Sequence, residues 1–177
     1  MLFMFVCLSI IIGLLTSEAP LIQLQNPPTF TLAQSLPLQS RTNAGFEATT
    51  FELNHREFRI GDNFDVTIYW QALTTLQSNY KSRALLRDKA NQLIWYTGDL
   101  QYPGTIHSKR WIRNTFIKDA HNIIIPDTLI PGEYEILFEV YPCDNIGCTF
   151  NDPVTFFDIN GNIIGNQLPI SLTIVIQ

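Results

Sequence analysis

The chain has 177 residues, of which 46% are hydrophobic and 12% aromatic, so it can bury the core of one ordinary domain and is not expected to be disordered. Its 11 basic residues are outnumbered by 16 acidic ones, which gives a formal net charge of -5 at pH 7. Because the basic residues are scattered rather than clustered, the composition argues against a nucleic-acid partner.

The first 15 residues, MLFMFVCLSIIIGLL, carry no charged side chain and are mostly large and apolar. A signal-peptide core spans about 7 to 15 residues and a membrane-spanning helix about 20, so the length leaves both open. No Lys or Arg precedes the run, which is atypical of a signal peptide. Ser17 and Ala19 have the small side chains of a cleavage site, but Pro20 directly after them opposes cleavage. We therefore expect residues 1–16 to be a retained signal-anchor; a cleaved signal peptide and a buried core helix are the alternatives.

Residues 17–41 are rich in Pro, Gln, Ser and Thr and show no helical or strand period, which predicts an extended spacer. Residues 42–177 are expected to form one β-sandwich domain. With a retained anchor, this domain lies on the extracytoplasmic side of the cell membrane. With a cleaved signal, it is secreted or periplasmic.

Cysteine usage agrees with export. Cys143 and Cys148 flank a four-residue polar loop, DNIG, which suits a disulfide closing a turn in an oxidising compartment. Two free thiols are the alternative. A structural zinc site is not expected, because no second pair of Cys or His residues is placed to complete four ligands.

The clearest strand pattern is NFDVTIYWQA, in which Phe64, Val66, Ile68 and Trp70 alternate with more polar residues. The alternation places these four side chains on one face. Trp70 could offer a stacking surface to a sugar, but Val66 and Ile68, which precede it on this face, are aliphatic. We therefore expect Trp70 to be a structural residue of the core.

A second long strand is predicted by PGEYEILFEVYP, with Tyr134, Ile136, Phe138 and Val140 on one face after a turn at Pro131-Gly132. Tyr134 stands at the start of this strand. That is the placement of a tyrosine corner, in which the hydroxyl bonds back to nearby backbone. Tyr134 is therefore expected to have a structural role.

Other strand signals are GFEATTFEL, the hairpin formed by YKSRALLRD and NQLIWYTG, WIRNTFIK, HNIIIP, and a tail with a hairpin turn at Asn160-Gly161. About eight or nine strands at this spacing favour two antiparallel sheets packed face to face. The predicted fold class is all-β, a two-sheet antiparallel sandwich preceded by one N-terminal apolar helix.

The order of the motifs carries a family resemblance. GDNFDVTIYWQAL is followed by a charged hairpin, Trp111, IIIPDTLIPGEYEILFEVY and GNIIGNQLPISLTIVI. From about Phe46 to Gln177 the chain resembles the extracytoplasmic β-sandwich domains at the C-terminal ends of bacterial membrane glycosyltransferases of the dolichyl-phosphate-mannose-transferase-like type. The resemblance implies an immunoglobulin-like sandwich outside the membrane, after a transmembrane segment. It does not imply transferase chemistry, because the family's catalytic part is the multi-span portion, which has no counterpart here.

Four aromatic residues form the candidate ligand-binding site: Trp95, Tyr96, Tyr102 and Trp111. They bracket a loop with glycine and proline, and aromatic faces on loops stack on sugar rings or anchor a protein partner. Core packing is the alternative, because strand alternation buries one of Trp95 and Tyr96. Trp111 is expected to begin a strand.

No constellation of residues predicts catalysis. FDINGN resembles a calcium loop but lacks the closing Glu, so a hairpin turn is expected. Glu133, Glu135 and Glu139 share an outward strand face, which predicts a solvated surface. The three histidines are isolated in the sequence: His55, His107 and His121. No nucleophile-elbow, zinc-protease, phosphate-loop or dinucleotide motif occurs, so we expect no enzymatic activity, cofactor or metal.

Two functions follow as hypotheses. In the first, the domain is a structural or accessory subunit that docks on a larger membrane protein assembly outside the cytoplasm. In the second, it is an exported module that binds a glycan or another cell-surface polymer through the loop aromatics. The first is preferred, because an anchor and a short spacer join a domain without a recognisable active site.

Overall fold

In a computed structural model of the protein, the described residues are 36–53, 56–90, 92, 94–96 and 100–177. The predicted apolar helix and most of the predicted spacer lie outside these residues. The described part is mostly β, as predicted. Its strands are β1 Leu36–Thr42, β2 Phe46–Leu53, β3 Glu57–Phe58, β4 Asn63–Ala72, β5 Asn79–Asp88, β6 Ile94–Tyr96, β7 Phe116–Ile124, β8 Gly132–Cys143, β9 Phe156–Phe157, β10 Ile163–Gly165 and β11 Leu168–Ile176.

The strands form two sheets. The first has the order β10-β9-β1-β2-β4-β7 and the second β3-β11-β8-β5-β6. The neighbouring strands are antiparallel, except that β3 runs parallel to β11. The hairpin predicted from YKSRALLRD and NQLIWYTG is the β5–β6 pair, and the turn predicted at Asn160-Gly161 joins β9 to β10.

The inner faces of both sheets meet in one hydrophobic core. Trp70 of β4 is fully buried, and its ring packs edge-on against Phe46 of β2, with ring centroids 5.5 Å apart. It also meets Phe138 of β8, in the other sheet, at 6.5 Å. The sequence pattern in β4 explains this position, because Phe64 and Val66 are buried on the same face as Trp70.

Tyr134 lies near the start of β8 and is buried. Its hydroxyl donates a hydrogen bond to the carbonyl oxygen of Ile130 at 2.5 Å. The bond ties the loop before β8 to the strand, which is how a tyrosine corner works.

Two boundaries differ from the sequence expectation. The first sheet begins at Leu36, inside the range expected to be spacer, because β1 pairs with both β2 and β9. Trp111 does not begin a strand; it follows a 3₁₀ turn over Ser108–Arg110, and β7 starts at Phe116. Within the described residues, no helix is long and apolar enough to cross a membrane.

Candidate functional site

A polar cluster in the core is the most distinctive arrangement of side chains. Alternation along β7 places Asp119 and His121 on the same inward face as Ile117 and Ile123. Asp119 is fully buried and His121 nearly so. Two ionisable side chains therefore occupy positions that alternation normally gives to apolar residues.

The Asp119 carboxylate accepts hydrogen bonds from four side chains. Its Oδ2 atom lies 2.9 Å from Trp70 Nε1, 2.6 Å from Ser82 Oγ and 3.0 Å from His121 Nε2. Its Oδ1 atom lies 2.9 Å from Gln101 Nε2. Because Ser82 belongs to β5, the cluster connects the two sheets.

The charge state of Asp119 follows from these contacts. Burial alone would raise the pKa of the carboxyl group, but the hydrogen bond and charge of His121, with hydrogen bonds from Ser82 and Trp70, lower it below the ordinary value. The carboxylate is therefore ionised in the folded protein at neutral pH. A buried charge with this number of donors is stabilised within the core.

The cluster contains Ser, His and Asp but does not have the geometry of a nucleophilic triad. In a triad, one imidazole nitrogen faces the serine and the other faces the aspartate. Here His121 Nε2 is 3.2 Å from Ser82 Oγ and also 3.0 Å from Asp119 Oδ2, while the serine hydroxyl bonds Asp119 directly. Ser82 is fully buried as well. The arrangement holds strands together and presents no nucleophile to a substrate.

A surface cleft of about 390 Å³ lies over one side of this cluster. Gln101 connects them, because it lines the cleft and its amide also donates to Asp119 and to the carbonyl oxygen of Ala120. Tyr102 and Lys118 line the cleft too. Thr105, at its rim, has a positive φ of 61°.

Tyr102 is the predicted site residue that lies at this cleft. Its ring is stacked on the His107 ring, with centroids 4.3 Å apart, and the Lys81 ammonium lies 4.8 Å from the ring centroid. The imidazole of His107 therefore covers one face of the Tyr102 ring, and a sugar cannot stack on that face.

The other predicted aromatic residues are not gathered around the cleft. Trp111 is buried and packs on Phe46, with centroids 5.7 Å apart, and its indole N–H has no hydrogen-bond partner among the residues that the structure describes. Trp95 is partly buried against the core. Tyr96 belongs to β6, but its side chain is not among those described. The alternative named from the sequence, core packing, describes Trp111 and Trp95.

Of the three glutamates expected on a solvated face of β8, Glu133 is exposed and Glu135 is partly exposed, but Glu139 is not. Glu139 is buried, and its carboxylate accepts hydrogen bonds from Arg83 at 2.7 Å, Tyr141 at 2.7 Å and Gln167 at 2.7 Å. The expectation fails because β5 and β8 run antiparallel, with Arg83 directly opposite Glu139. Further along β8, Glu135 pairs with Arg87 of β5, and Glu133 pairs with Lys89, which directly follows β5.

The aspartate of FDINGN is also used internally. Asp158 Oδ1 accepts the backbone N–H groups of Asn160 and Asn162, each at 2.8 Å, as expected of a hairpin turn. A hydrogen bond from the Asn162 side chain, together with these backbone bonds, lowers the pKa of Asp158. Among the described residues, no group of three or more His, Cys, Asp or Glu side chains is placed to hold a metal ion.

Cys143 and Cys148 form a disulfide, in agreement with the first of the two sequence interpretations. Cys143 ends β8, and the loop between the cysteines turns through Asp144, whose carboxylate accepts the N–H groups of Ile146 and Gly147. Ile146 at the tip is 96% exposed, and Phe150 after the loop is 56% exposed. The tip is therefore a firmly held turn that presents apolar side chains to the surroundings.

Sequence reasoning missed the polar cluster. The signal was present, because FIKDAHNII keeps Asp119 and His121 in register with Ile117 and Ile123. Their partners could not be found in this way, because Trp70 is 49 residues from Asp119 in the chain and Ser82 is 37.

No family model matches the sequence, and no curated protein matches it. Among solved structures, the alkylpurine DNA glycosylase AlkC of Pseudomonas fluorescens, bound to DNA containing an abasic-site analogue, is similar at 9% identity and a TM-score of 0.39. That alignment covers 76% of this chain but 31% of AlkC, so the chain spans about a third of that neighbour.

Two further structures are similarly distant. AvmM, which catalyses macrocyclization in alchivemycin A biosynthesis, is 10% identical with a TM-score of 0.41, over 76% of this chain and 89% of AvmM. A family 123 glycoside hydrolase from Clostridium perfringens, studied for glycolipid glycan hydrolysis, is 16% identical with a TM-score of 0.31, over 55% of this chain and 22% of the hydrolase. These similarities are too low to transfer a function.

Proposed function

We propose that the protein is a non-catalytic, membrane-anchored accessory subunit whose domain, an immunoglobulin-like β-sandwich outside the cytoplasm, docks on a larger membrane protein assembly. The disulfide between Cys143 and Cys148 is the observation that carries this proposal. Structural disulfides persist in oxidising compartments, so the disulfide supports a domain outside the cytoplasm. The uncharged apolar run at the N-terminus and the family resemblance support the same location.

The non-catalytic part of the proposal is supported by the use of the polar groups. Asp119 and Ser82 bond to each other in the core, and Glu139 is held by Arg83 and Tyr141. Each of these groups stabilises the fold through its own partners. A catalytic group needs instead to reach a substrate.

The docking part is supported by the tip of the disulfide loop. Ile146 and Phe150 expose apolar surface on either side of Cys148, and the turn beneath Ile146 is held by Asp144. Rigid apolar side chains of this kind lose little conformational entropy when a partner covers them. The tip is accordingly the proposed contact with the partner protein.

The experiment is purification of the full chain from native membranes in mild detergent. The proposal expects co-purifying polypeptide with the unmodified protein, and its loss with the variant Ile146→Ser combined with Phe150→Ser. Ile159→Ser, which changes an isoleucine that is 71% exposed on the β9–β10 turn, is the matched control and should retain the partner. A single free species in native gels, with no co-purifying chain, would count against the proposal.

Glycan binding is less well supported by the geometry. Trp111 is buried, Trp95 packs on the core, and the Tyr102 ring contacts His107 and Lys81. A sugar would therefore find less aromatic surface at these positions than the sequence predicted. Unchanged retention of Tyr102→Ala on cell-wall polysaccharide would agree with this.

A further inference from the structure

The strand pairing places one end of the domain at the point where the chain arrives from the N-terminal segment. β1 starts at Leu36, which lies opposite Phe51 in the second half of β2. β4 begins beside the end of β2, with Leu53 opposite Val66, and β7 ends beside the start of β4, with Asn63 opposite Ile124. The loop from Ile124 to Gly132, where β8 begins, is therefore at the same end, which we call the β1-start end.

The turn between β9 and β10 also lies toward this end. Phe157 of β9 pairs antiparallel with Arg41 near the end of β1. Residues after Phe157 therefore run toward Leu36, and the turn at Asn160-Gly161 reaches about 10 Å in that direction at 3.3 Å per residue. The disulfide loop follows the other end of β8 and lies at the opposite end of the domain.

Three isoleucines are exposed at or toward the β1-start end: Ile124 at 59%, Ile130 at 64% and, on the turn that extends toward this end from the level of Arg41, Ile159 at 71%. Two of them stand on backbone that is held in place. Tyr134 donates to the Ile130 carbonyl, and Asp158 holds the turn that contains Ile159. These side chains are presented by fixed turns, which favours their use as a contact surface.

The three positions are spread widely. β9–β10 and β7 are at opposite edges of the six-stranded sheet, so Ile159 and Ile124 are separated by about 20–25 Å across the sheet, at about 4.8 Å between neighbouring strands, in addition to their offset along the strands. Contacts with a protein partner concentrate their energy in a central packed cluster. Separate apolar side chains at the corners of one end fit a broad, flat and deformable apolar surface better.

We propose that the β1-start end rests on the lipid bilayer, with Ile124, Ile130 and Ile159 inserted in its interfacial region. The inference deepens the proposed function and rests on it, because it takes residues 1–16 as the anchor. Residues 17–35, if fully extended, reach at most about 65 Å, so the bilayer is within range of the domain. The chain arrives at the same end that carries the isoleucines, so this end can face the membrane without the chain crossing the domain.

The charges at this end favour apolar over electrostatic contact. Arg56 and Arg59 are exposed there, next to β3, but Asp62 and Asp158 lie at the same end. Mixed signs give little attraction to an anionic surface. The probe is therefore a vesicle of phosphatidylcholine alone.

The experiment reconstitutes the full chain, with Cys7→Ser to remove the thiol outside the disulfide, in phosphatidylcholine vesicles. Single variants Ile130→Cys and Ile159→Cys carry an environment-sensitive fluorophore at the new thiol. Ile146→Cys, at the opposite end and 96% exposed, is the matched control. Flotation of the vesicles reports the anchor, and quenching by doxyl-labelled lipid reports contact of the labelled position with the bilayer.

We expect flotation of all variants, with a blue-shifted emission and loss of fluorescence at positions 130 and 159 and neither change at 146. Flotation without quenching at 130 and 159, or with equal quenching at 146, would overturn the lipid contact while leaving the anchor intact. Failure to float would overturn the anchor and, with it, the inference. Shielding of 130 and 159 from aqueous iodide in native membranes but not in pure lipid would identify a protein as the occupant instead.

Discussion

Removing the Asp119 carboxylate is the sharpest test of how the core is built. In Asp119→Ala, Trp70 Nε1, Ser82 Oγ, Gln101 Nε2 and His121 Nε2 all lose an acceptor that lies 2.6–3.0 Å away. Gln101 keeps the Ala120 carbonyl, and Ser82 keeps the contact with His121. The indole N–H of Trp70 therefore loses its acceptor, and the imidazole of His121 loses its carboxylate partner while keeping the contact with Ser82.

The magnitude follows from these contacts. Hydrogen bonds to a charged group contribute about 1.5–3 kcal/mol each, but contacts that share one carboxylate are not additive. Breaking a buried ion pair by removing one partner costs about 3–5 kcal/mol. We expect Asp119→Ala to lower the free energy of unfolding by about 3–5 kcal/mol, a large share of the roughly 5–15 kcal/mol of a typical domain.

The assay is urea unfolding of the full chain followed by tryptophan fluorescence, in one detergent for all variants. Asp65→Ala is the matched control, since Asp65 stands on β4 with an exposed side chain that accepts one hydrogen bond, from Asn122 at 2.9 Å. Its expected cost is within about 0.5 kcal/mol. Equal costs for Asp119→Ala and Asp65→Ala would refute the account of the cluster.

The same cluster predicts a pH dependence. The folded pKa of Asp119 is lowered, so its carboxylate contributes stability above its unfolded pKa of about 3.9, and this contribution is lost as the pH falls through the lower folded value. The free energy of unfolding should therefore fall below about pH 4 in the unmodified protein. Asp119→Asn should have a lower free energy of unfolding at pH 7 and a smaller decrease in it on acidification. The same decrease below pH 4 in both proteins would contradict the assignment of this pH dependence to Asp119.

Three more predictions concern single contacts. Burial, with the charge and hydrogen bond of Glu52, raises the pKa of Tyr69 to about 12. The free energy of unfolding should therefore fall as the pH rises from about 10 to 12, because the unfolded state loses the Tyr69 proton first. Urea unfolding at each pH should show a smaller fall in Tyr69→Phe. Tyr134→Phe should lower the free energy of unfolding in urea by about 1 kcal/mol. An unchanged free energy would show that the hydrogen bond of the tyrosine corner does not stabilise the fold. Replacing Cys143 and Cys148 by serine should cost about 2 kcal/mol, the loop-entropy value for so short a ring, and unchanged stability would contradict it.

The sheets could be predicted from the sequence because the apolar period of two is clear in the long strands. NFDVTIYWQA coincides with β4, and the buried face of β8 holds Tyr134, Ile136 and Phe138 as expected. These patterns are local, and a local pattern is what a sequence displays directly. The start of β1 was missed because LPLQSRT shows no apolar period of two, although in the structure Leu36 and Pro37 pair with Phe51 and Thr50 of β2.

The candidate site was less predictable. Trp111 was assigned to a strand and a surface, but it follows a 3₁₀ turn and packs on Phe46 in the core. Glu139 has the alternation of a solvated residue, yet Arg83 on the facing strand and Gln167 near β11 enclose it. The burial of Trp111 and Glu139 depends on which side chains of other segments contact them, and the alternation of residues within one strand does not identify those contacts.

The polar cluster explains how the two sheets keep one relative position. Apolar faces pack with little directional preference, so sheets that touch through aliphatic side chains alone tolerate sliding. Ser82 of the five-stranded sheet donates to Asp119 of the six-stranded sheet at 2.6 Å, and a hydrogen bond at that distance does not survive a shift of one residue. The two ends of the domain are thereby fixed relative to each other. Under the proposed function, in which lipid would contact one end and a protein partner the other, this rigidity would let the length and orientation of the domain set where the partner binds.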